Sequence, residues 1–276
     1  MSSQAPTQLY LETARRLAQE AGALVLGMHQ SASVKSHKSD HSPVTEADLQ
    51  SDEWIRRGLA QAFPEHAILT EEDGLSGNVK SDWVWMIDPL DGTKAFAKRI
   101  PGFCVMVGLT YRGQPQLGVV VDPIEGLTYE ALRGEGAFLW KDGKRQALKV
   151  SQRSDYPQMP LVVSTGFPDA ALHELQSELG VPTLPPINSV GIKVGLLVRQ
   201  IGDIYLNHHG VHYWDTCAPQ IILEEAGGRF TKLDGTPLSY ALQAPYSHQA
   251  RTLASNGKRH DDLLKVVSGI SLGIGS

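Results

Sequence analysis

Hydrophobic residues follow a helical spacing at the start of the chain. From Thr7 to Gln30 they recur every three or four positions with charged residues between them, which predicts an amphipathic helix. A second helix is predicted to begin at Thr45, where an acid three residues later, Asp48, approximates a capping box, and to run to about Phe63. The polar segment between them, 31–41, is expected to be a loop that can include a short strand.

Short apolar runs separated by turn residues dominate the middle of the chain. The run Trp83–Ile87 predicts a buried strand that ends at Asp88-Pro89, and a short helix is predicted from Gly92 to Lys98. A smaller run, Ala67–Leu69, predicts one more strand. Turns containing Gly or Pro separate four further strands of a predicted antiparallel meander: Phe103–Thr110, Leu117–Asp122, Leu127–Leu132 and Ala137–Trp140.

Helical and strand patterns alternate in the last part of the chain. The predicted helices are Asp169–Leu179, Val190–Gln200, Trp214–Ala226 and Arg259–Val267. The predicted strands are Leu161–Ser164, Asp203–Leu206, Arg229–Thr231 and Thr252–Ala254. Residues from Ser268 onward are expected to fray. A polar stretch near 149–160 predicts a boundary between an α+β subdomain, 1–150, and an α/β subdomain, 151–276.

Composition narrows the functional classes. The 276 residues carry a net charge of −5, so the chain has no basic footprint for nucleic acid or a membrane surface. The N-terminus lacks the basic start and the following apolar core that are typical of a signal peptide. A cytoplasmic location is therefore expected. Cys104 and Cys217 are too few for a disulfide framework and are expected to be buried.

One short motif combines several chemical functions. Asp88 and Asp91 lie three residues apart after the buried strand, and Gly92-Thr93 follows at a predicted helix start. Mg²⁺ prefers carboxylate and phosphate oxygens, and helix-start amides bind anions. Because Asp, Pro and Gly also favour plain turns, the motif alone leaves both interpretations open. Asp48 is similarly either a helix-dipole partner or a carboxylate at the rim of a metal site.

Four motifs taken in order resemble one family. Pro43–Asp48, Glu71-Glu72, Asp88–Thr93 and Trp214-Asp215 are similar to motifs of the lithium-sensitive, Mg²⁺-dependent phosphatases of the inositol monophosphatase superfamily. The resemblance extends from the first helix to about Gly257. It implies a layered αβαβα sandwich of the sugar-phosphatase type, often a homodimer, and inhibition by Li⁺. The metal ligands that it implies are Glu71, Asp88, the backbone carbonyl of Leu90, Asp91 and Asp215.

The resemblance also implies a mechanism for a small phosphate ester. Asp48, Glu71 and Thr93 match catalytic residues that activate a water, and the Gly92 and Thr93 amides match the phosphate cradle. Asp215 would lie on the substrate side as well as on the metal. Two or three Mg²⁺ ions would neutralise the roughly two negative charges of a phosphate monoester and acidify the attacking water. An aspartyl-phosphate route is set aside because its acids stand two apart, as DxD, near the N-terminus.

The substrate motifs point in two directions. Lys94, the segment 214–219 and Lys193 resemble 3'(2'),5'-bisphosphate nucleotidases, in which the lysine matching Lys193 contacts the nucleotide. By itself Lys193 could equally lie on a solvated helix face. The segment 164–168 looks more like bacterial inositol monophosphatases, but the glutamate by which those enzymes hold a sugar hydroxyl is replaced by His208.

Taken together, these motifs favour a 3'(2'),5'-bisphosphate nucleotidase that converts 3'-phosphoadenosine 5'-phosphate to AMP. Phe167, Tyr213 or a neighbouring ring is then expected to stack on adenine. An inositol-1-monophosphatase and a catalytically silent phosphate-binding module remain alternatives. His208, His209 and His212 are assigned to the substrate side rather than to zinc, because no Cys or acid completes a tetrahedral set with them.

Overall fold

The computed structural model describes residues 8–37 and 43–273. Its helices are α1 (Gln8–His29), α2 (Glu46–Ala62), α3 (Thr93–Ala97), α4 (Asp169–Leu179), α5 (Val190–Val198), α6 (Tyr213–Glu225) and α7 (His260–Gly269), with a 3₁₀ turn at Tyr156–Gln158. Its strands are β1 (Val34–His37), β2 (Pro43–Thr45), β3 (Ala67–Thr70), β4 (Gly74–Gly77), β5 (Trp83–Asp91), β6 (Cys104–Tyr111), β7 (Gln114–Asp122), β8 (Leu127–Leu132), β9 (Gly136–Lys141), β10 (Lys144–Leu148), β11 (Leu161–Val162), β12 (Ile204–Asn207), β13 (Arg229–Lys232) and β14 (Thr252–Ser255).

Three apolar clusters divide these elements into five layers. Helices α1 and α2 pack on one face of an eight-stranded sheet, with order β10-β9-β8-β7-β6-β5-β3-β4. Helices α5 and α6 fill the space between its other face and a four-stranded sheet, β11-β12-β14-β13. Helices α4 and α7 cover the outer face of that smaller sheet. Each sheet therefore buries both faces, and the predicted αβαβα sandwich is confirmed.

The larger sheet contains the predicted meander. Strands β6 to β9 pair antiparallel with their neighbours in sequence, whereas β3 and β5 are parallel. Sequence patterns missed its two edge strands, β4 and β10. Their sequences, GLSG and KRQAL, lack an apolar alternation because their residues are mostly half-buried or exposed. Short edge strands such as β4, and charged ones such as β10, protect a sheet from pairing with other chains.

The predicted end of the central strand is wrong. Strand β5 does not stop at Asp88-Pro89 but continues to Asp91, which pairs with Cys104 on β6. The pairing register shifts between Asp88 and Asp91, so the intervening residues form a bulge. Proline has no N–H to donate to the ladder and is tolerated at such irregularities. The bulge thus interrupts the ladder without ending the strand.

The second half follows its predicted pattern, with one correction at the tail. The four helices and four strands lie at their predicted positions within a few residues. Helix α7, however, continues to Gly269, and Ile270 and Leu272 are buried against the outer cluster rather than frayed. Residues 274–276 of the predicted tail lie outside the described ranges. Cys104 and Cys217 are buried free thiols. The predicted loop includes β1, but residues 38–42 lie outside the described ranges.

Two further points concern the architecture. The two large sheets occupy residues 67–148 and 161–255, on either side of the predicted boundary, and the two-stranded sheet β1-β2 lies before them in the sequence. The two-subdomain division itself stays a prediction. Of the helices in the described ranges, none is long and apolar enough to cross a membrane.

A pair of glycines lets α6 lie directly on the larger sheet. Gly108 on β6 and Gly118 on β7 are opposite each other in register. A Cβ on Gly108 would be 2.6 Å from Cys217 Sγ, and one on Gly118 would be 2.5 Å from the carbonyl oxygen of Ala218. The close approach brings the start of α6, which carries Asp215, toward the end of β5.

We expect Gly118→Ala to destabilise the fold by about 1–3 kcal/mol, because backbone atoms of α6 would have to move. Gly27→Ala is the matched control, since Gly27 lies in α1 with open space around it. Alanine in a helix is favoured over glycine by about 0.5–1 kcal/mol, so this variant should be neutral or stabilised. Urea unfolding measures both changes, and equal stabilities would contradict the packing argument.

Candidate active site

The Asp88–Asp91 bulge is held from three directions. Asp88 Oδ1 accepts a hydrogen bond from the Leu90 N–H at 3.0 Å. On the other side, the Ser51 hydroxyl of α2 donates to the Pro89 carbonyl oxygen at 2.8 Å. At the far end, Asp91 rejoins the ladder. The two carboxylates therefore have fixed backbone positions.

Gly92 turns the chain from β5 into α3. Its φ of 90° is left-handed, a conformation that glycine adopts without a steric cost. A Cβ at this position would also be 2.4 Å from the Gly102 carbonyl oxygen. Only glycine therefore fits where the predicted phosphate cradle begins.

Thr93 and Asp48 form a hydrogen-bonded relay beside the bulge. Asp48 Oδ2 accepts from the N–H of Thr45 at 2.8 Å, as in a capping box, and from its hydroxyl. Asp48 Oδ1 lies 3.1 Å from Thr93 Oγ1, which is also 3.0 Å from the Leu90 carbonyl oxygen. A hydroxyl has one proton, so when Thr93 donates to Asp48 its lone pairs can accept a hydrogen from a water. Both interpretations of Asp48, helix cap and site carboxylate, fit this geometry.

Asp91 is held by the start of α5. Its Oδ2 accepts from Ser189 Oγ at 2.7 Å and from the Gly191 N–H at 3.0 Å. The sequence patterns did not single out Ser189. Serine before an apolar helix is a helix-start signal, but nothing in that signal indicates which distant carboxylate the hydroxyl contacts.

Two more acids come from separate elements. Glu71 follows β3, and its N–H donates to the Ile87 carbonyl oxygen of the neighbouring strand at 3.2 Å. Asp215 lies in the first turn of α6, where its Oδ2 accepts from the His212 N–H at 2.8 Å. Parallel β3 and β5 thus bring Glu71 to Asp88, and α6 brings Asp215 to the same place.

Burial and mutual repulsion perturb this group. The pKa of Asp88 is raised well above its ordinary value, first by burial and then by the charges of Glu71, Asp91 and Asp215. Burial also raises the pKa of Asp215 strongly, with Glu71 and Asp91 adding to it. The pKa of Asp91 is raised by burial, which outweighs the donors from α5. Buried carboxylates that repel one another are stabilised by a bound cation.

The donor set suits Mg²⁺ better than a metal with an all-protein cage. Across 8–37 and 43–273, no group of three or more His, Cys, Asp or Glu side chains converges closely enough to hold a metal ion unaided. Mg²⁺ commonly uses one or two carboxylates and completes its shell with waters and substrate phosphate. Oxygen atoms alone make up the predicted ligand set of Glu71, Asp88, Leu90, Asp91 and Asp215, and they fit that pattern.

The sequence alone allowed Lys193 to lie on a solvated helix face, but the structure places it in the interior. Its side chain is completely buried, its Nζ donates to Ser164 Oγ at 2.6 Å, and the ammonium lies 4.5 Å from the centre of the Tyr205 ring. Burial lowers the pKa of Lys193 to about 8, while the charges of Asp91 and Asp215 oppose that shift. Lys193 is therefore an internal cation facing the carboxylates.

The aromatic part of the substrate hypothesis is not supported. Phe167 and Tyr213 are 6% and 7% exposed, because Phe167 packs on the His208 ring at 5.0 Å and Tyr213 packs on Tyr240 and His248. Neither ring is open for stacking on adenine. Burial also lowers the pKa of His208 to about 4, so this side chain is neutral at physiological pH.

Sequence comparison adds the decisive observation. The chain matches the inositol monophosphatase family from residue 7 to residue 271. It belongs to that family. Members of the family are phosphatases that generally depend on Mg²⁺, so the predicted class, a phosphoric monoester hydrolase, is confirmed. The number of ions and the role of each site residue stay predictions.

Relatives within the family have two different activities in their names. A 3'(2'),5'-bisphosphate nucleotidase, CysQ of Escherichia coli O157:H7, is 33% identical over 83% of this chain and 93% of its own. An inositol-1-monophosphatase of Synechocystis is 32% identical over 95% of this chain and 89% of its own. The structure of an inositol monophosphatase from Anabaena superposes with a TM-score of 0.77 and 31% identity, covering 96% of this chain and 97% of that one.

The raised carboxylate pKa values predict how Mg²⁺ stabilises the fold. A group whose folded pKa is raised contributes stability at low pH that is lost as the pH rises through that pKa. The Mg²⁺-induced increase in Tm should therefore be larger at about pH 8 than at about pH 5.5, where protonated ligands bind the metal weakly. In EDTA at the higher pH, Asp88→Asn should raise Tm by about 2–4 °C for each kcal/mol of repulsion removed.

Thermal melts with and without Mg²⁺ at matched ionic strength measure both effects. The control is Asp82→Asn, which removes a half-exposed carboxylate paired with Arg112 and should leave the Mg²⁺ shift unchanged. An Asp88→Asn protein that keeps the full Mg²⁺ shift would contradict the assignment of Asp88 to the metal.

Proposed function

We propose that this chain is a Mg²⁺-dependent phosphomonoesterase in which water attacks phosphorus directly. The observation that carries the proposal is the convergence of four acids beside the Thr93–Asp48 relay. Asp88 and Asp91 are buried, and Glu71 and Asp215 are half-buried. When bound, Mg²⁺ supplies charge neutralisation for the phosphate and lowers the pKa of a water. No side chain is required as a covalent carrier.

The residues around the metal have complementary roles in this proposal. Thr93 accepts a hydrogen from the attacking water and donates its own proton to Asp48. The amides of Gly92 and Thr93, at a helix start without intrahelical acceptors, donate to the phosphate oxygens. The phosphorus–oxygen bond to the alcohol then breaks, and the alcohol leaves with a proton taken from solvent.

The first substrate candidate is 3'-phosphoadenosine 5'-phosphate, cleaved at its 3'-phosphate to AMP. The identity to bisphosphate nucleotidases supports it, and so does a buried cation, Lys193, whose charge interacts with Asp91 and Asp215. Inositol 1-phosphate is the second candidate, because an inositol-1-monophosphatase is aligned over a larger share of this chain at nearly equal identity.

A side-by-side assay of phosphate release tests both candidates. With Mg²⁺ present we expect kcat/KM to be highest for 3'-phosphoadenosine 5'-phosphate, lower for inositol 1-phosphate and lowest for fructose 1,6-bisphosphate. Asp91→Asn should abolish most turnover while the circular dichroism spectrum is retained. A preference for inositol 1-phosphate would select the second candidate, and no turnover of any ester would select the silent binding module.

Lys193→Met should separate the two substrates. Methionine preserves the length and apolar stem of the buried side chain but removes its charge. Lys193 Nζ is buried against Ser164 Oγ, so contact with a second phosphate requires the ammonium to turn from Ser164 toward the substrate. A charge-assisted contact of that kind contributes about 1.5–3 kcal/mol, so kcat/KM for the bisphosphate should fall about 10- to 100-fold. The kcat/KM for the monophosphate, inositol 1-phosphate, should fall much less.

The control for this measurement is Lys265→Met, which removes an exposed charge of α7 and should change neither value. Equal losses on both substrates with Lys193→Met would mean that Lys193 serves the carboxylates alone and does not contact a second phosphate.

A further inference from the structure

Three donors converge on one oxygen of Asp91. Ser189 Oγ and the Gly191 N–H contact Oδ2 at 2.7 and 3.0 Å, and Cys104 Sγ lies 3.7 Å from the same oxygen. None of these contacts involves Oδ1. An aspartate bound in this way has its carboxylate plane fixed, so the direction of Oδ1 is fixed as well.

Two acceptors lie within reach of the Ser189 hydroxyl proton: Asp91 Oδ2 at 2.7 Å and Cys104 Sγ at 3.3 Å. The carboxylate is the stronger acceptor of the two. Ser189 caps α5, and its Oγ accepts a hydrogen bond from the Ile192 N–H at 3.0 Å. The hydroxyl proton is then directed away from the helix, toward Asp91. A carboxylate without its proton accepts only, so Ser189 must be the donor to Asp91.

The sheet surface allows α5 to come this close. Gly191 faces β6 and β7, and a Cβ there would lie 2.5 Å from Cys104 Sγ, 2.8 Å from Met106 Sδ and 2.9 Å from Val120 Cγ1. Without that side chain, the first turn of α5 lies against β6 and its N–H groups reach Asp91. A larger residue would lift the donors away from the carboxylate.

The same turn is tied to the smaller sheet. Asn188 precedes the cap, and its Oδ1 accepts from the N–H of Thr165 at 3.0 Å. Lys193, one turn after the cap, donates to Ser164 Oγ at 2.6 Å. The start of α5 therefore joins the end of β11 to Asp91 at the end of β5.

We propose that Ser189 is a positioning residue that orients Asp91, so that Oδ1 faces the cation site while Oδ2 remains bound to α5. The inference rests on the proposed function, because it takes Asp91 as a metal ligand. Partners of ligating groups fix the ligand orientation, and their loss typically costs about 10- to 100-fold in metal affinity or activity. Ser189 would act through Asp91 without touching the substrate.

Metal binding without substrate tests this role directly. Free Mn²⁺ is measured by electron paramagnetic resonance in a titration of the full chain, and Mg²⁺ is then added as competitor. We expect Ser189→Ala and Ser189→Gly to raise the Mn²⁺ Kd by about 10- to 100-fold. Glycine preserves most of the helix cap, so a loss shared by both variants is due to the missing hydroxyl. Ser189→Thr restores the donor and should bind Mn²⁺ nearly as wild type.

The matched control is Ser151→Ala. Ser151 is a buried serine whose hydroxyl also donates to a buried aspartate, Asp203, outside the predicted ligand set. This variant should keep the wild-type Kd even where its Tm falls. If Ser189→Ala does not fold, Ser189→Cys replaces it, because a thiol has nearly the same volume but is a weak donor.

The outcomes are distinct. The proposal is supported if Mn²⁺ binding is weakened in Ser189→Ala and Ser189→Gly. Binding must at the same time be retained in Ser189→Thr and Ser151→Ala. If Asp91→Asn weakens Mn²⁺ binding but the Ser189 variants do not, the positioning role is overturned and the metal site stands. If Asp91→Asn binds Mn²⁺ as tightly as wild type, both the positioning role and the proposed metal site are overturned.

Discussion

Repulsion among buried carboxylates is the constraint on which the candidate site depends. Asp88, Asp91 and Asp215 lie together in a region where burial alone raises the pKa of each. Each also accepts a backbone N–H at short range, from Leu90, Gly191 and His212 respectively. These donors favour the ionised form but do not compensate for burial. The fold therefore maintains an excess of negative charge that a divalent cation can neutralise, at a cost to the stability of the metal-free protein.

The layered architecture makes that convergence possible. Strands β3 and β5 end side by side because they are parallel, which is unusual in a sheet otherwise built as a meander. The remaining contributions come from helices of the middle layer, α5 and α6, which pack between the sheets. Glycines at the contact points, Gly108 and Gly191 among them, let these helices approach the strands. The site is thus a product of close helix–sheet packing rather than of one motif.

Sequence patterns predicted what depends on local periodicity and missed what depends on tertiary contacts. The five-layer order came from the family resemblance, whereas the helices and the meander follow from apolar spacing. The bulge was missed because Asp88-Pro89 is a typical turn sequence. That β5 continues is evident only from the tertiary pairing of Asp91 with Cys104. The contacts of Lys193 could not be predicted either, because Ser164 and Tyr205, which bury it, belong to other segments of the chain. Ser189 had a helix-start signal, but its contact with the distant Asp91 could not be predicted for the same reason.

The proposed roles of Ser189 and Lys193 would couple substrate choice to metal binding through α5. Ser189 and Lys193 lie one turn apart on that helix, and the first contacts Asp91 while the second lies between Ser164 and the carboxylates. A ligand that moved Lys193 away from Ser164 would act on the turn that holds Asp91. In the proposed function, a substitution on this turn would therefore act on the substrate side and the metal side together. The metal chemistry that the family shares and the specificity proposed for Lys193 would then meet at the start of one short helix.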